Sequence, residues 1–276
     1  MDELSLSMDD VRDVEVDDPP RILIYAPEKM GKTTLAAQFP GAIFLQTERG
    51  ESRGLKIKSF GHIKSFQTLL DAVTLLITEE HPYRTAVLDS VTATEKLVWA
   101  EVCRRNNWAS IEQPGYGKGY VETDAVWGEL IAALNYLRDE KRMNVVIIGH
   151  ATVTRFDDPE TQSYSQYAID LHKRADALLK REVDAILLIK KDVTIKTEGP
   201  ANAKAPGRAR AEGGDTRWIY CQGRPAFVAG NRYRMPAKIM FPDPATSPDG
   251  GYAALAPFLP CQPAPVTEAK PSRKAA

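Results

Sequence analysis

The fold is decided by the stretch Ala26-Pro27-Glu28-Lys29-Met30-Gly31-Lys32-Thr33-Thr34. It follows the apolar run Ile22-Leu23-Ile24-Tyr25 and precedes the helix-like Leu35-Ala36-Ala37. A buried strand, a tight loop and a helix N-terminus in this order can hold a phosphate group, because backbone N–H groups point at the anion and the helix dipole adds positive charge. The stretch therefore predicts a phosphate-binding loop.

The side chains of this loop predict a nucleotide and a metal ion. The sequence follows the Walker A pattern G-x-x-x-x-G-K-[ST], with Ala26 in place of the first glycine. Lys32 is expected on the outer phosphates and the Thr33 hydroxyl on Mg²⁺. We therefore predict that residues 26–34 bind ATP with Mg²⁺. A chance Gly-Lys-Thr in a surface loop is the alternative, which the flanking strand and helix disfavour.

Composition limits the other possibilities. The chain has 276 residues, 43% of them hydrophobic, which is enough for a sizeable core. Its net charge is −1, but residues 170–238 hold fifteen Lys/Arg against eight Asp/Glu, which indicates either an anionic partner or an ordinary mixed surface. Three distant cysteines predict neither disulfides nor a zinc site. An acidic start and the lack of an apolar run of ~18 residues predict a cytoplasmic protein without a membrane span.

The chain divides into three segments. Residues 1–18 hold eight acids and one base and are predicted to be a flexible acidic tail. Residues 19–241 are predicted to be the folded core, with a mobile loop at 199–215. Residues 242–276 are Pro-rich and predicted to be largely disordered.

Within the core, short apolar runs alternate with helical patterns. Strands are predicted at 21–25, 42–45, 85–88, 145–148, 185–189 and 217–221, and helices at 33–39, 63–80, 91–107, 121–141 and 169–181. This alternation predicts an α/β fold with a mainly parallel central sheet and helices on both faces. In such a fold ligands bind at the carboxyl ends of the strands, where Glu48, Asp89 and His150 lie.

These three side chains suit phosphate chemistry. Asp89 is predicted to hold Mg²⁺ together with Thr33, and Asp89 or Ser90 can also cap the helix that starts near Val91. Glu48 is the candidate general base for an attacking water, or else an exposed loop acid. His150 is the candidate sensor of the γ-phosphate, or else a core or capping histidine.

Later residues suggest contacts with other molecules. Arg232 could act as an arginine finger in the site of a neighbouring subunit, contact DNA phosphate, or lie on the surface without a role. The loops 108–120 and 151–167 combine aromatic and basic side chains, which suit stacking on the bases of single-stranded DNA, with ordinary loop packing as the alternative. The DNA-binding candidates are Trp108, Tyr116, Lys118, Tyr120, Arg155 and Phe156.

Taken in order, these motifs resemble a known family. The phosphate loop, Phe44-Leu45-Gln46-Thr47-Glu48, Val87-Leu88-Asp89-Ser90 and Val146-Ile147-Ile148-Gly149-His150 resemble the motifs of the RecA-type ATPase core. The Gly-Tyr-Gly loop before a long helix, the strand-end histidine and the late Asn-Arg-Tyr-x-Met-Pro segment resemble a phage group. These are RecA-core, AAA-labelled nucleotide-binding proteins, some of them Sak-type single-strand annealing recombinases. The resemblance covers roughly residues 20–240.

The resemblance implies a RecA-like P-loop ATPase that works in phage DNA recombination or replication in the host cytoplasm. It implies a homo-oligomer that binds single-stranded DNA through the two loops, with a single-strand-binding or replication protein as a further partner. Gly230 stands where the phage pattern often has Lys, so that Arg232 is the one remaining trans residue. The implied site roles are Lys32 and Thr33 on phosphates and Mg²⁺, Asp89 on Mg²⁺, Glu48 as base and His150 as sensor.

Two other functions stay open. A small-molecule P-loop kinase would need an Arg-rich lid, and residues 199–215 contain Arg208 and Arg210 but no helical pattern. A nucleotide-bound scaffold or loader in DNA replication would hydrolyse ATP weakly. The replacements at Ala26 and Gly230 favour that reading, and the acidic tail could dock a basic protein.

Overall fold

The computed structural model of the chain describes residues 17–50, 54–160, 162–198 and 208–260. Residues 1–16 of the predicted acidic tail therefore lie outside the described residues. The predicted disorder of 261–276 and part of the predicted loop at 199–215 lie outside them too.

Ten strands in the described residues form the sheet. They are β1 (Arg21–Ala26), β2 (Ala42–Gln46), β3 (Lys58–His62), β4 (Thr85–Asp89), β5 (Asn144–Phe156), β6 (Tyr164–Ile169), β7 (Ala185–Glu198), β8 (Arg208–Tyr220), β9 (Gly230–Asn231) and β10 (Lys238–Phe241). The strand order is β3-β2-β4-β5-β1-β7-β8-β10, and the first six of these strands run parallel. β8 is antiparallel to both of its neighbours, while β6 pairs with β5 and β9 pairs with β7.

Helices cover both faces of the sheet. They are α1 (Lys32–Ala37), α2 (Phe66–Thr78), α3 (Val91–Asn106), α4 (Lys118–Asp139), α5 (Lys173–Glu182) and α6 (Gly250–Leu255), which a 3₁₀ turn at Ala256–Phe258 follows. Helices α2 to α5 share one apolar core with the sheet, and α1 and α6 share the other. β1 is buried from both sides, so Ile22 to Ala26 are all fully inaccessible. The predicted α/β fold, with a mainly parallel central sheet and helices on both faces, is confirmed. No helix within the described ranges has the length and apolar character needed to cross a membrane.

The predicted loop at 151–167 is largely a β-hairpin. Residues from 151 continue β5 beyond the edge of the main sheet and pair antiparallel with β6, from Ala151 opposite Ile169 to Phe156 opposite Tyr164. Ile169, which was predicted to begin a helix, ends β6, and α5 begins only at Lys173. The prediction failed because the outer side chains of this hairpin are mostly exposed and polar, so they form no apolar run.

Residues 242–260 are folded, contrary to the predicted disorder. Helix α6 packs on α1 and β10, with Leu255 fully buried. The Tyr252 ring lies 4.8 Å from the ring of Phe39, and the Tyr252 N–H donates to the Gln38 side chain at 2.9 Å. The prolines around α6 favoured a prediction of disorder, although the segment contains a short helix. The few apolar residues of this segment, such as Leu255, pack in the apolar core that also contains α1. The folded part of the chain thus reaches residue 260.

Candidate functional site

The phosphate loop connects the carboxyl end of β1 to α1. Ala26 is the last residue of β1 and lies beside His150 of β5, so its methyl group stands in an ordinary extended strand. Gly31 has φ +99°, a left-handed conformation that favours glycine. The loop therefore needs its glycine at Gly31 and accepts alanine at the position where the motif normally has its first glycine.

The loop offers hydrogen-bond donors to a pocket of about 500 Å³. Within the described residues, the backbone N–H groups of Gly31 to Thr34 have no hydrogen-bond acceptor. The Lys32 ammonium group donates to the Ala26 carbonyl at 3.1 Å and to the Pro27 carbonyl at 3.4 Å, and Lys32 is only 8% exposed. Burial lowers the pKa of Lys32, and the charges of Glu48 and Asp89 oppose this shift. A polyanion is the ligand that these donors suit.

Thr33 and Asp89 place two oxygens side by side at the pocket. The Thr33 hydroxyl donates to Asp89 Oδ2 at 3.2 Å. Burial, followed by the charge of Glu48, raises the pKa of Asp89 to about 6. A hydroxyl next to a partly desolvated carboxylate fits Mg²⁺, which prefers oxygen ligands and keeps several waters.

Glu48 is held between two donors. The Ser90 hydroxyl donates to Glu48 Oε2 at 2.8 Å, and His150 Nε2 lies 2.9 Å from Glu48 Oε1 and 3.1 Å from Oε2. The hydrogen bond from His150 lowers the pKa of Glu48, burial opposes this effect, and Ser90 adds to it. Glu48 is therefore an ionised, oriented carboxylate at the pocket, as a base requires.

His150 connects Glu48 to the phosphate loop. Its Nδ1 lies 3.5 Å from the Lys32 ammonium group, which can only donate. The ring proton is therefore assigned to Nε2, facing Glu48. The backbone N–H of His150 donates to the Thr92 hydroxyl at 3.1 Å, which anchors the middle of β5 to α3.

The register of the strands brings these residues together. Ala26 pairs with His150 across β1 and β5, and Gln46 pairs with Asp89 across β2 and β4. The carboxyl ends of β1, β2 and β4 therefore meet at the pocket with the middle of β5, where that strand leaves the main sheet, although 102 positions separate Glu48 from His150. The sequence predicted Ser90 only as part of the strand-end motif and as a possible helix cap, which it is for α3, and it gave no sign of the contact between Ser90 and Glu48 or of a role for Thr92. The position of Ser90 directly after Asp89 places its hydroxyl at the end of a strand, whereas Thr92 carries no such signal.

Arg232 does not reach this pocket within its own chain. Its guanidinium group donates to Asp184 at 3.0 Å, and its side chain is 60% exposed. Asp184 also binds Arg21, at the start of β1. At about 3.3 Å per residue, the start of β1 is about 17 Å from the phosphate loop at its other end. Arg232 thus lies at the amino-terminal ends of the parallel strands, whereas the pocket lies at their carboxyl ends.

The DNA-binding candidates fall into two groups. Trp108 packs against the apolar core, and Tyr120 stacks on His172 with ring centroids 4.3 Å apart, so ordinary packing accounts for both. The other four are exposed: Tyr116 and Lys118 at the start of α4, and Arg155 and Phe156 on the outer part of β5.

The fold and the site together define an α/β domain with a phosphate-binding P-loop. Residues 18–233 match the model of the AAA_24 family, which is described as an AAA domain, and the protein belongs to this family. A solved structure described as "Crystal structure of the RadB recombinase" is similar at 15% sequence identity and a TM-score of 0.44, covering 82% of this chain and 89% of that one. No curated protein matches the chain significantly.

Proposed function

We propose that the protein is a Mg²⁺-ATP-dependent ATPase that acts on single-stranded DNA. The observation that carries this proposal is the meeting, in one pocket, of the loop N–H groups, the Lys32 ammonium, the Thr33–Asp89 oxygen pair and the Glu48–His150 pair. Donors for phosphate, ligands for a cation and an oriented base are the parts that phosphoryl transfer to water needs.

Each residue has a separate task in the proposed reaction. The loop N–H groups and Lys32 bind the phosphate oxygens, while Thr33 and Asp89 hold Mg²⁺. Bound there, Mg²⁺ neutralises charge on the phosphates. Glu48 orients a water and takes its proton as the water oxygen bonds to the γ-phosphorus. The bond from that phosphorus to the bridging oxygen breaks, and ADP leaves with the electron pair.

His150 links the nucleotide to the proposed DNA site. It contacts Glu48, lies near Lys32, and begins the part of β5 that leads without interruption to Arg155 and Phe156. A γ-phosphate that draws Lys32 toward itself would change the surroundings of the His150 ring. We propose that this change is passed along β5 to the hairpin, so that ATP binding controls DNA binding.

The exposed side chains of the hairpin support single-stranded DNA as the partner. The Arg155 side chain is 76% exposed and, among the residues that the structure describes, bonds to the exposed Asp157 and to Ser163, so a DNA phosphate can replace these contacts at little cost. The Phe156 ring is 42% exposed and can stack on a base. We also propose a homo-oligomer in the cytoplasm of a phage-infected host, which works with a single-strand-binding or replication protein. This context follows from the motif resemblance to phage annealing proteins.

The first experiment is ATP hydrolysis by the wild type and by Glu48→Gln, each with and without single-stranded DNA. We expect a wild-type rate that rises with DNA and a fall of about 10²- to 10⁴-fold in the variant, with nucleotide binding retained. Glu122→Gln, an exposed acid on α4, is the matched control and should hydrolyse like the wild type. Background hydrolysis by the wild type, with nucleotide still bound, would contradict the ATPase and favour a nucleotide-bound scaffold.

A second experiment tests the hairpin by measuring DNA affinity over a range of salt concentrations. Arg155→Ala should lower the slope of log K against log salt by about 0.7, the value for one phosphate contact on a single strand. Phe156→Ala should weaken binding by about 1–3 kcal/mol without changing the slope, because stacking releases no counterion. The control is Arg181→Ala on α5, and equal losses in all three variants would exclude the hairpin as the binding site.

A further inference from the structure

We propose that Arg217 is a positioning residue that holds the phosphate loop in its binding conformation. The proposal rests on nucleotide binding at this loop, as put forward above. Arg217 belongs to β8, is paired with Phe241 of β10, and carries no recognisable motif. β8 lies on one side of β1 in the sheet, whereas β4 and β2, at whose ends Asp89 and Glu48 are found, lie on the other, and the Arg217 side chain contacts the loop at Met30.

The contact between Arg217 and the loop is close. A Cβ atom at Gly31 would come within 2.8 Å of Arg217 Nη1 and 3.0 Å of Phe241 Cε1. Such distances are below normal contact, so the loop backbone lies directly on these two side chains. A side chain at Gly31 would therefore be strained by the positive φ and would also require Arg217 or Phe241 to move.

Three contacts fix the Arg217 guanidinium group. It lies over the Phe241 ring at 4.7 Å, donates to the Met30 carbonyl at 3.4 Å, and has Asp243 Oδ1 at 3.9 Å. The Arg217 side chain is 20% exposed and Phe241 is 2% exposed, whereas Asp243 is an exposed acid. The guanidinium group is thus held by the stack on Phe241 and aimed at the loop carbonyl.

Anchoring the Met30 carbonyl determines the direction of a phosphate donor. The C=O and N–H groups of one trans peptide unit point in opposite directions. With the Met30 carbonyl turned toward Arg217, the N–H group of Gly31 points away from β8, and Gly31 and Met30 both line the nucleotide pocket. Arg217 thereby prepares a backbone donor, without contacting the nucleotide itself, and lowers the cost of ordering the loop on binding.

The test compares Arg217→Met, Arg217→Lys and Lys191→Met. Lys191 is the register partner of Arg217 on β7 and bonds to the exposed Asp215, so its variant removes one positive charge nearby without touching the loop. We would measure the Kd for ADP with Mg²⁺, kcat and KM for ATP, and hydrogen exchange of the amides of residues 28–34 in the nucleotide-free protein.

Arg217→Met should raise the Kd and KM about tenfold, as the loss of one hydrogen bond from a charged donor predicts, and should leave kcat within about twofold. Exchange in the loop should become faster while the rest of the protein exchanges as before. Arg217→Lys, which keeps the charge but loses the planar group over Phe241, should fall between Arg217→Met and the wild type. If Arg217→Met does not fold, the lysine variant still provides both measurements.

Wild-type affinity and wild-type loop exchange in Arg217→Met would overturn the proposal. An equal loss of affinity in Lys191→Met would also overturn it, because removal of any nearby positive charge would then be enough to weaken nucleotide binding. Failure of the proposed function is a different result, in which the wild type does not bind ADP at all. In that case the exchange measurement still decides whether Arg217 holds the loop.

Discussion

The ionisation of Glu48 depends mainly on one neighbouring residue, His150. The hydrogen bond from His150 is the largest cause of the lowered pKa of Glu48. We predict that His150→Ala raises the pKa of Glu48, so that the base is protonated up to a higher pH. The acidic limb of the kcat–pH profile should then move to higher pH, so that the loss of activity is larger on the acidic side of the profile than at neutral pH.

Ser90→Ala is the comparison variant, because Ser90 also donates to Glu48 but contributes less to its lowered pKa. Its acidic limb should shift in the same direction by a smaller amount. An acidic limb in His150→Ala that coincides with that of the wild type would show that His150 does not set the ionisation of Glu48.

The sequence predicted the position of those pocket residues that directly follow the apolar run of a strand. Glu48, Asp89 and His150 each follow a short apolar run, and the ends of parallel strands meet at one edge of the sheet. Arg217 was not predictable, since its contact with the loop depends on how β8 and β10 pair across the sheet. Arg232 could be found from its segment, but its place at the amino-terminal ends of the parallel strands follows only from the pairing of β9 with the start of β7.

Helix α3 carries two buried acids whose pKa values shift in opposite directions. Glu95 accepts the backbone N–H of His172, and burial raises its pKa to about 7. Glu101 binds Arg104 and Arg105, which lower its pKa to about 2. The folded protein thus binds a proton at Glu95 more tightly than the unfolded chain does. The resulting contribution of Glu95 to the stability of the fold is complete below the unfolded pKa of 4.5 and is lost as the pH rises through about 7. The contribution of Glu101 is present above 4.5 and is lost as the pH falls through about 2.

We predict that Glu95→Gln stabilises the protein at pH 8.5, by about 2 kcal/mol, and changes little at pH 5, because glutamine keeps an acceptor without the buried charge. Glu101→Gln is the matched control on the same helix, and it should destabilise the protein at pH 8.5. Denaturant unfolding at the two pH values measures both effects. A Glu95→Gln protein that is less stable than the wild type at pH 8.5 would refute the assignment of a buried, costly charge.

The elements missed by sequence analysis share a physical reason. β3 has the sequence Lys-Ser-Phe-Gly-His at the edge of the sheet, with most of its side chains exposed, so burial leaves no pattern in it. β6 and the outer part of β5 are stabilised by pairing with each other rather than by a core. The strands that were predicted are those buried on both faces, such as β1 and β4. Because every side chain of such a strand is buried, the strand appears in the sequence as a continuous apolar run.

In the whole molecule, the C-terminal segment completes the second core. Gly251 of α6 approaches α1 so closely that a Cβ atom would meet Leu35 at 2.7 Å. We predict that a chain ending at Phe241 melts about 10 °C below the wild type, because the buried side chains of Leu255 and Leu259 and their cover over α1 are lost. A chain ending at Pro260 is the control and should keep the wild-type melting temperature. Equal melting temperatures for the two truncations would contradict a structural role for α6.

The position of Arg232 makes a prediction about the assembled protein. Because Arg232 lies at the ends of the strands opposite its own pocket, it can complete an ATP site only in a neighbouring subunit, through a head-to-tail interface. Arg232→Ala subunits would keep an intact phosphate loop, and Lys32→Ala subunits would keep the arginine. We predict that each variant alone is inactive and that mixing them restores hydrolysis at the interfaces where an intact loop meets an intact arginine.

For a one-to-one mixture of freely exchanging subunits, about a quarter of the interfaces have this arrangement, so DNA-stimulated hydrolysis should recover to about a quarter of the wild-type rate. Arg234→Ala, an exposed arginine two residues further on, is the control and should be active alone. Full activity of Arg232→Ala alone would remove the arginine from the reaction. A mixture that forms mixed oligomers but stays inactive would show that Arg232 acts within its own subunit, through its ion pair with Asp184, and not across the interface.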